Sequence, residues 1–236
     1  MKFKATFLVL LISISLISAQ ESEYQDLLAC YVTDEGFVDY KGLKKEETKL
    51  DAYLGYLQNT SAENSWYNNR KKAFWINAYN AYTIKLILDH YPLKSITSIS
   101  IKGNTAWKSP IANLGRKVYT LDQIEHDILR KTLFDPRIHV GVNCASISCP
   151  KLSNKAFTED NIDSELDRLM TEFINDATKN LYAKKHIEIS QLFNWYKDDF
   201  KKKGSIIDYI NGYAKTPVKA NAKIRYLEYN WNLNGK

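Results

Sequence analysis

Cysteine and histidine are scarce in this chain of 236 residues, with three of the first and four of the second. A zinc site would need paired ligands at spacings such as C-x2-C or H-x3-H. Cys144-x4-Cys149 and four dispersed histidines do not provide them, so no metal and no cofactor is expected. Nine glycines and five prolines are spread along the chain without a linker-like cluster, and no repeat or low-complexity stretch is visible. That pattern predicts one domain over residues 20–236, long enough for a full core. No apolar run reaches the roughly 20 residues of a membrane span. The basic clusters Arg70-Lys71-Lys72 and Lys201-Lys202-Lys203 are short and separated. They read as solvated surface, which excludes a nucleic-acid stripe.

What is present begins with "MKFKATFLVLLISISLISA". Lys2 and Lys4, the apolar run Ala5 to Ile17 and the small residue Ala19 make a signal-peptide pattern over residues 1–19. An exported protein, periplasmic or extracellular, with no stable span after cleavage is the expectation. Removing Lys2 and Lys4 from the 33 basic residues leaves 31 against 27 acidic, a net +4. The three cysteines are then an odd number in an oxidising compartment, so either one thiol stays free or none is paired.

Helical patterns predominate. "NNRKKAFWINAYNAYTIKLILD" (68–89) is apolar almost all round and closes at His90-Tyr91-Pro92, which predicts a buried helix. Asn77 and Asn80, three apart on it, become buried amides that need partners, expected in the backbone near residues 139–150. "YTLDQIEHDILRKTLFD" opens with a Thr120/Gln123 capping box. At about 100° per residue, Glu125 falls near the centre of its apolar face and His126 at the edge. A carboxylate there must be paired, by an imidazole, an arginine or backbone N–H groups. Ile162, Leu166, Leu169, Met170, Phe173 and Ile174 form an amphipathic stripe, and "SQLFNWYKDDF" opens on Ser190 as an N-cap with mostly packing aromatics. "SITSISI", "KVYT", "RIHVGV", "HIEIS" and "IRYLEYNW" read as strands. The fold class is therefore α+β, mostly helical around a small, largely antiparallel sheet.

"RIHVGVNCASISCPKLS" draws the chemistry together. Read as a strand, it sets Val140, Val142 and Cys144 on a core face and His139, Gly141 and Asn143 on the other. Cys149, in the following loop, is the better placed thiol. Two readings stay open. A Cys144–Cys149 disulfide would close a tiny loop and add roughly 2 kcal/mol. A Cys149 nucleophile would need a nearby imidazole, His139 or His126, with Glu125 or an amide to orient it. Asn77, Asn80, Asn143 and Cys144 are the binding candidates around that site.

"KAFWINAYNAYTIKLIL", "YTLDQIEHDILR", "DPRIHVGVNCASISCPKL", "LFNWYKDDF" and "LEYNWNLN" resemble, in order, the blocks of the domain of unknown function 547, from about Lys72 to Asn234. The resemblance implies kinship of fold and assigns no chemistry. The order of a buried helix followed by "RIHVGV" is more distantly similar to the transglutaminase-like, papain-related core. There His139 would take the histidine's place, while Asn77 or Asn80 stands where the cysteine would be. The expected function is a thiol-dependent hydrolase or acyl transferase on amide or thioester bonds of a small molecule or peptide. The alternative is a non-catalytic envelope binding module.

Overall fold

The computed structural model describes residues 21–183 and 186–236. The signal-peptide pattern at 1–19 lies outside the described residues. Among the described residues, no helix is long and apolar enough to cross a membrane.

The centre is the helix Asn68–His90, with sixteen consecutive or near-consecutive buried side chains from Lys72 to Leu88. Its all-round apolar sequence leaves no face for water, so other elements surround it. Tyr91 turns extended ahead of Pro92 and ends the helix, as a residue before proline must. Around it pack the helices Glu47–Asn59 and Ile162–Asn175 and the helical segment Gln123–Leu129. One apolar cluster runs from Tyr24 to Val218.

The α+β class holds, but the strands form three small sheets. Ser100–Ile101 pairs antiparallel with Asn104–Thr105, and Ala112–Leu114 with Lys117–Tyr119. The third sheet sets His186–Ile189 antiparallel to Leu181–Tyr182 and parallel to Lys223–Tyr226. "SITSISI" holds a 3-10 turn, Ile96–Ser98, capped by Ser95, and only Ser100–Ile101 of it forms a strand. Only the first part of "IRYLEYNW" is a strand.

The larger correction concerns "RIHVGV". It is a helical turn, Ile138–Gly141, with Ile138, His139, Val140 and Gly141 all buried. Apolar alternation cannot separate a strand from a short helix whose every side is covered. His139, which the transglutaminase-like similarity would put on a strand, therefore sits on a helical turn. Ahead of the turn, Arg137 grips Asp135 with Nε on Oδ1 and Nη2 on Oδ2, and also reaches Asp163 and Asp167. This clamp sets where the turn begins.

Asn80 ties the turn to the central helix. Its Nδ2 donates to Gly141 O at 2.8 Å, and its Oδ1 accepts from Asn143 N at 2.8 Å. Asn77 makes the same two-armed contact elsewhere than expected, with Phe157 O at 2.7 Å and Phe157 N at 3.0 Å. Asn143 pins the loop that follows, donating to Pro150 O and accepting from Ala145 N, both at 2.8 Å.

Gly141 lets the turn pack closely against the helices. A Cβ there would stand 2.9 Å from Leu166 Cδ2 and 3.1 Å from Ile76 Cδ1. Gly141→Ala should lower stability by about 1–3 kcal/mol through overpacking. The urea midpoint of the variant against the parent measures it.

Candidate functional site

The segment "YTLDQIEHDILR" starts with the expected capping box: Thr120 Oγ1 accepts from Gln123 N, and Gln123 Oε1 from Thr120 N. It then widens into a π-helix over Gln123–Leu129, with Arg130 N bonded to Glu125 O at 2.9 Å. The wider turn still buries Ile124, Glu125 and Leu129 and leaves Ile128 half-covered. Such bulges cluster at functional sites.

Glu125 is 5 % exposed. Its partner is none of those expected. Tyr196 Oη donates to Glu125 Oε1 at 2.6 Å. Tyr196 reaches it because "SQLFNWYKDDF" breaks at that residue (φ −110°, ψ 28°) into two turns, Leu192–Trp195 and Lys197–Phe200. The cap of the first turn is Gln191 and not Ser190 as expected, although Ser190 Oγ accepts from Leu192 N at 3.2 Å just ahead of it. Phe193 and Phe200 face the core, while Trp195 stays outside.

Asp199, on the second turn, organises the histidines. Its Oδ2 accepts from Arg130 Nε at 2.6 Å and from His139 Nε2 at 2.8 Å. Because a carboxylate only accepts, His139 carries its proton on Nε2. Its ring stacks on Tyr196 at 3.9 Å, and its buried Nδ1 has no partner among the described residues. Burial lowers the His139 pKa, outweighing its bond to Asp199, so Nδ1 keeps its lone pair. Burial alone would raise Asp199, yet the hydrogen bonds from His139 and Arg130 hold it well below the usual carboxylate range. Arg130 Nη1 also meets His126 Nδ1 at 3.2 Å, and the guanidinium lies 4.9 Å from the Tyr196 ring centroid.

The thiols lie opposite to expectation. Cys149 is buried, 6 % exposed, and its Sγ accepts from Cys144 N at 3.1 Å. Cys144 is half-buried, with Sγ 3.1 Å from Tyr229 Oη and 3.2 Å from Ser146 Oγ. Ala145 between them adopts φ +53°, a strained value for a residue with a side chain, and it turns Ser146 back toward the sulfur. Tyr229 is delivered by the C-terminal segment, whose backbone runs along residues 145–148 through Ile147 N to Asn232 O and Ser148 N to Asn230 O. Hydrogen bonding from Cys149, and further from Ser146 and Tyr229, lowers the Cys144 pKa against the cost of burial. Burial pushes Cys149 well up.

Cys144, Cys149, His126, His139 and Glu125 all line one cavity of about 270 Å³. Asn77, Asn80 and Asn143 do not line it and serve as backbone pins. Sequence reasoning missed Asp199, Tyr196, Tyr229, Trp107, Asp122 and Trp231. Tyr196 and Asp199 lie three apart in "WYKDD", a spacing that puts two polar groups on one side of a helix, though nothing local says that side faces a cavity. Among the described residues, no three His, Cys, Asp or Glu side chains gather as metal ligands.

A family model described as "Protein of unknown function, DUF547" matches residues 64–174. The match includes Glu125, His126, His139 and both cleft cysteines, while Tyr196, Asp199, Tyr229 and Trp231 lie beyond it. No curated protein and no solved structure matches the chain.

Two outcomes test this geometry. Tyr196→Phe, which leaves Glu125 Oε1 without its donor, should cost about 1–3 kcal/mol, read from urea unfolding at neutral pH. Folded His139 holds a proton less readily than an unfolded histidine, so the unfolded chain takes up the extra proton on acidification. Stability should fall as pH drops below the unfolded value of about 6.5. His139→Asn should flatten that slope between pH 7.5 and 5, measured by denaturant midpoints.

Proposed function

Taking residues 64–174 as a DUF547 domain, we propose that the protein is a thiol-dependent hydrolase or acyl transferase whose nucleophile is Cys144. The observation that carries the reading is the state of the Cys144 sulfur. It is the less buried of the two cleft thiols, held between Tyr229 Oη and Ser146 Oγ, with its pKa lowered by those contacts and by Cys149. Hydrogen bonds to a thiolate favour the form that attacks. His139, neutral and with an unpartnered Nδ1, supplies a base on the same cavity. Asp199 orients it from the other nitrogen, the third group that such dyads need.

In the reaction, the Cys144 sulfur forms a bond to the carbonyl carbon of an amide or thioester, and the thiol proton passes to His139. The bond from that carbon to the leaving nitrogen or sulfur then breaks, and the leaving group takes the proton from His139. Water or an acceptor amine then bonds to the thioester carbon and gives a proton to His139, the bond from that carbon to sulfur breaks, and Cys144 takes the proton back from His139. Cys149 supports Cys144 from beneath and does not attack. The signal-peptide pattern at residues 1–19 supports action outside the cytoplasm.

The adjacency of the two thiols favours a second reading. Cys149 Sγ accepts from the backbone N–H of Cys144 at 3.1 Å, so oxidation of the neighbouring thiols would staple the loop and leave a binding cleft without a nucleophile.

Iodoacetamide labelling of the folded, unreduced protein separates the two, with the site located by fragment mass and exposed Cys30 as internal reference. Cys144 should label at least roughly tenfold faster than Cys149, and more slowly in Tyr229→Phe and His139→Asn. Absence of label at Cys144 until reductant is added would leave the staple, and faster labelling at Cys149 would return the nucleophile to that residue.

A further inference from the structure

The cavity has an electrostatic character that the thiol chemistry does not use. The chain has a net charge of +6, yet no lysine or arginine lines the cleft. Besides three tyrosines, its ionisable lining is Asp122, Glu125, two histidines and the two thiols. Arg130 lies behind it, committed to Asp199 and His126. Glu125 is nineteen-twentieths buried, and only its Oε1 is bonded, to Tyr196. Among the described residues no donor reaches Oε2. Arg130 is near enough for its charge to act on Glu125 but spends its N–H donors on Asp199 and His126, so Oε2, on a cavity-lining carboxylate, keeps its lone pairs for a ligand's donor.

The same cavity has an aromatic wall. Trp107, Trp195, Tyr229 and Trp231 form a continuous cluster, with centroids 5.6 Å apart for Trp107–Trp231, 4.7 Å for Trp195–Tyr229 and 4.6 Å for Tyr229–Trp231. Ring faces attract cations, most strongly where water is excluded. A hollow of about 270 Å³ is small for a whole drug-sized ligand, which favours one compact group.

We propose that the cleft binds an organic cation: the substrate presents a protonated or methylated amine to Glu125 Oε2 and to the aromatic wall of Trp107, Trp195, Tyr229 and Trp231. This names the substrate class for the site proposed above and rests on the reading that substrate enters this cleft. The same ammonium chemistry belongs to a free alkylamine and to a lysine side chain of a peptide. Neutral groups of equal size lack the attraction, and anions meet two carboxylates.

The test is a fluorescence titration of the full chain, whose cleft tryptophans report occupancy. Its probes are choline chloride, n-butylammonium chloride, Nα-acetyl-lysine N-methylamide, and 3,3-dimethylbutan-1-ol as the neutral carbon isostere of choline, at constant ionic strength. At least one cation should bind saturably and at least roughly tenfold tighter than the isostere. Tighter binding of the lysine amide than of butylammonium assigns the source to a peptide, and the reverse to a small amine. Glu125→Gln should remove most of the preference for cation over isostere. Should that variant fail to fold, Trp195→Ala, at the 46 % exposed rim, should weaken cation binding several-fold while leaving the isostere little changed. Cys144→Ser should keep cation binding, because the sulfur is not part of the cation's contacts. Equal binding of cation and isostere, or no binding of any cation, overturns the proposal even where Cys144 labels fast. Cation-selective binding to a protein whose Cys144 is unreactive sustains it and overturns the hydrolase reading alone.

Discussion

The arrangement of the cleft depends on one buried amide. Asn80 uses both ends of its side chain on residues 141 and 143, joining the central helix to the turn that bears His139 and to the start of the cysteine loop. Both backbone groups are buried, and the cost of leaving either unpaired exceeds the net gain of an ordinary exposed hydrogen bond. The bond therefore specifies position as well as adding stability. Asn143 extends the same device one step, holding Ala145 and Pro150 and closing the loop on itself. With those two amides in place, Cys144 and Cys149 have little freedom in where their sulfurs sit.

A second set of polar contacts crosses the cleft. Glu125 meets Tyr196, Tyr196 stacks on His139, and His139 meets Asp199, which also binds Arg130. The groups come from three separate stretches of chain, so each is in place only when all three are packed. Opposed environments divide the labour. Burial suppresses the charge on His139, while donors sustain the charge on Asp199 beside it. The thiols show the same division, with Cys149 enclosed and Cys144 supplied with donors. Pairs whose surroundings push their proton affinities apart are the arrangement that acid–base chemistry requires.

The aromatic mouth comes mainly from parts of the chain beyond residues 64–174. Tyr229 and Trp231 lie on a segment hydrogen-bonded along the cysteine loop, and Trp195 on a helical turn next to it. The matched region holds the cleft's two thiols and two histidines, and the remainder shapes what can approach them.

Several features were legible in the sequence for local reasons. The central helix followed from an uninterrupted apolar pattern ending before a proline, and the Thr120–Gln123 box from two side chains three residues apart. The need of Asn77, Asn80 and Glu125 for partners followed from polar groups on apolar faces. The partners themselves were not legible, since Phe157, Gly141 and Tyr196 are 80, 61 and 71 residues away in the chain. "RIHVGV" was misread as a strand because valine alternation is ambiguous when every side of a short segment is covered. The burial of Cys144 and Cys149 is the reverse of the expected one for a related reason: accessibility of a thiol depends on what the fold lays over it. Here that is decided by Ala145's left-handed turn and by Tyr229, 85 residues further along the chain. Residue type and local period determined which groups had to be buried or paired; only long-range packing decided with whom, and which sulfur is the less buried.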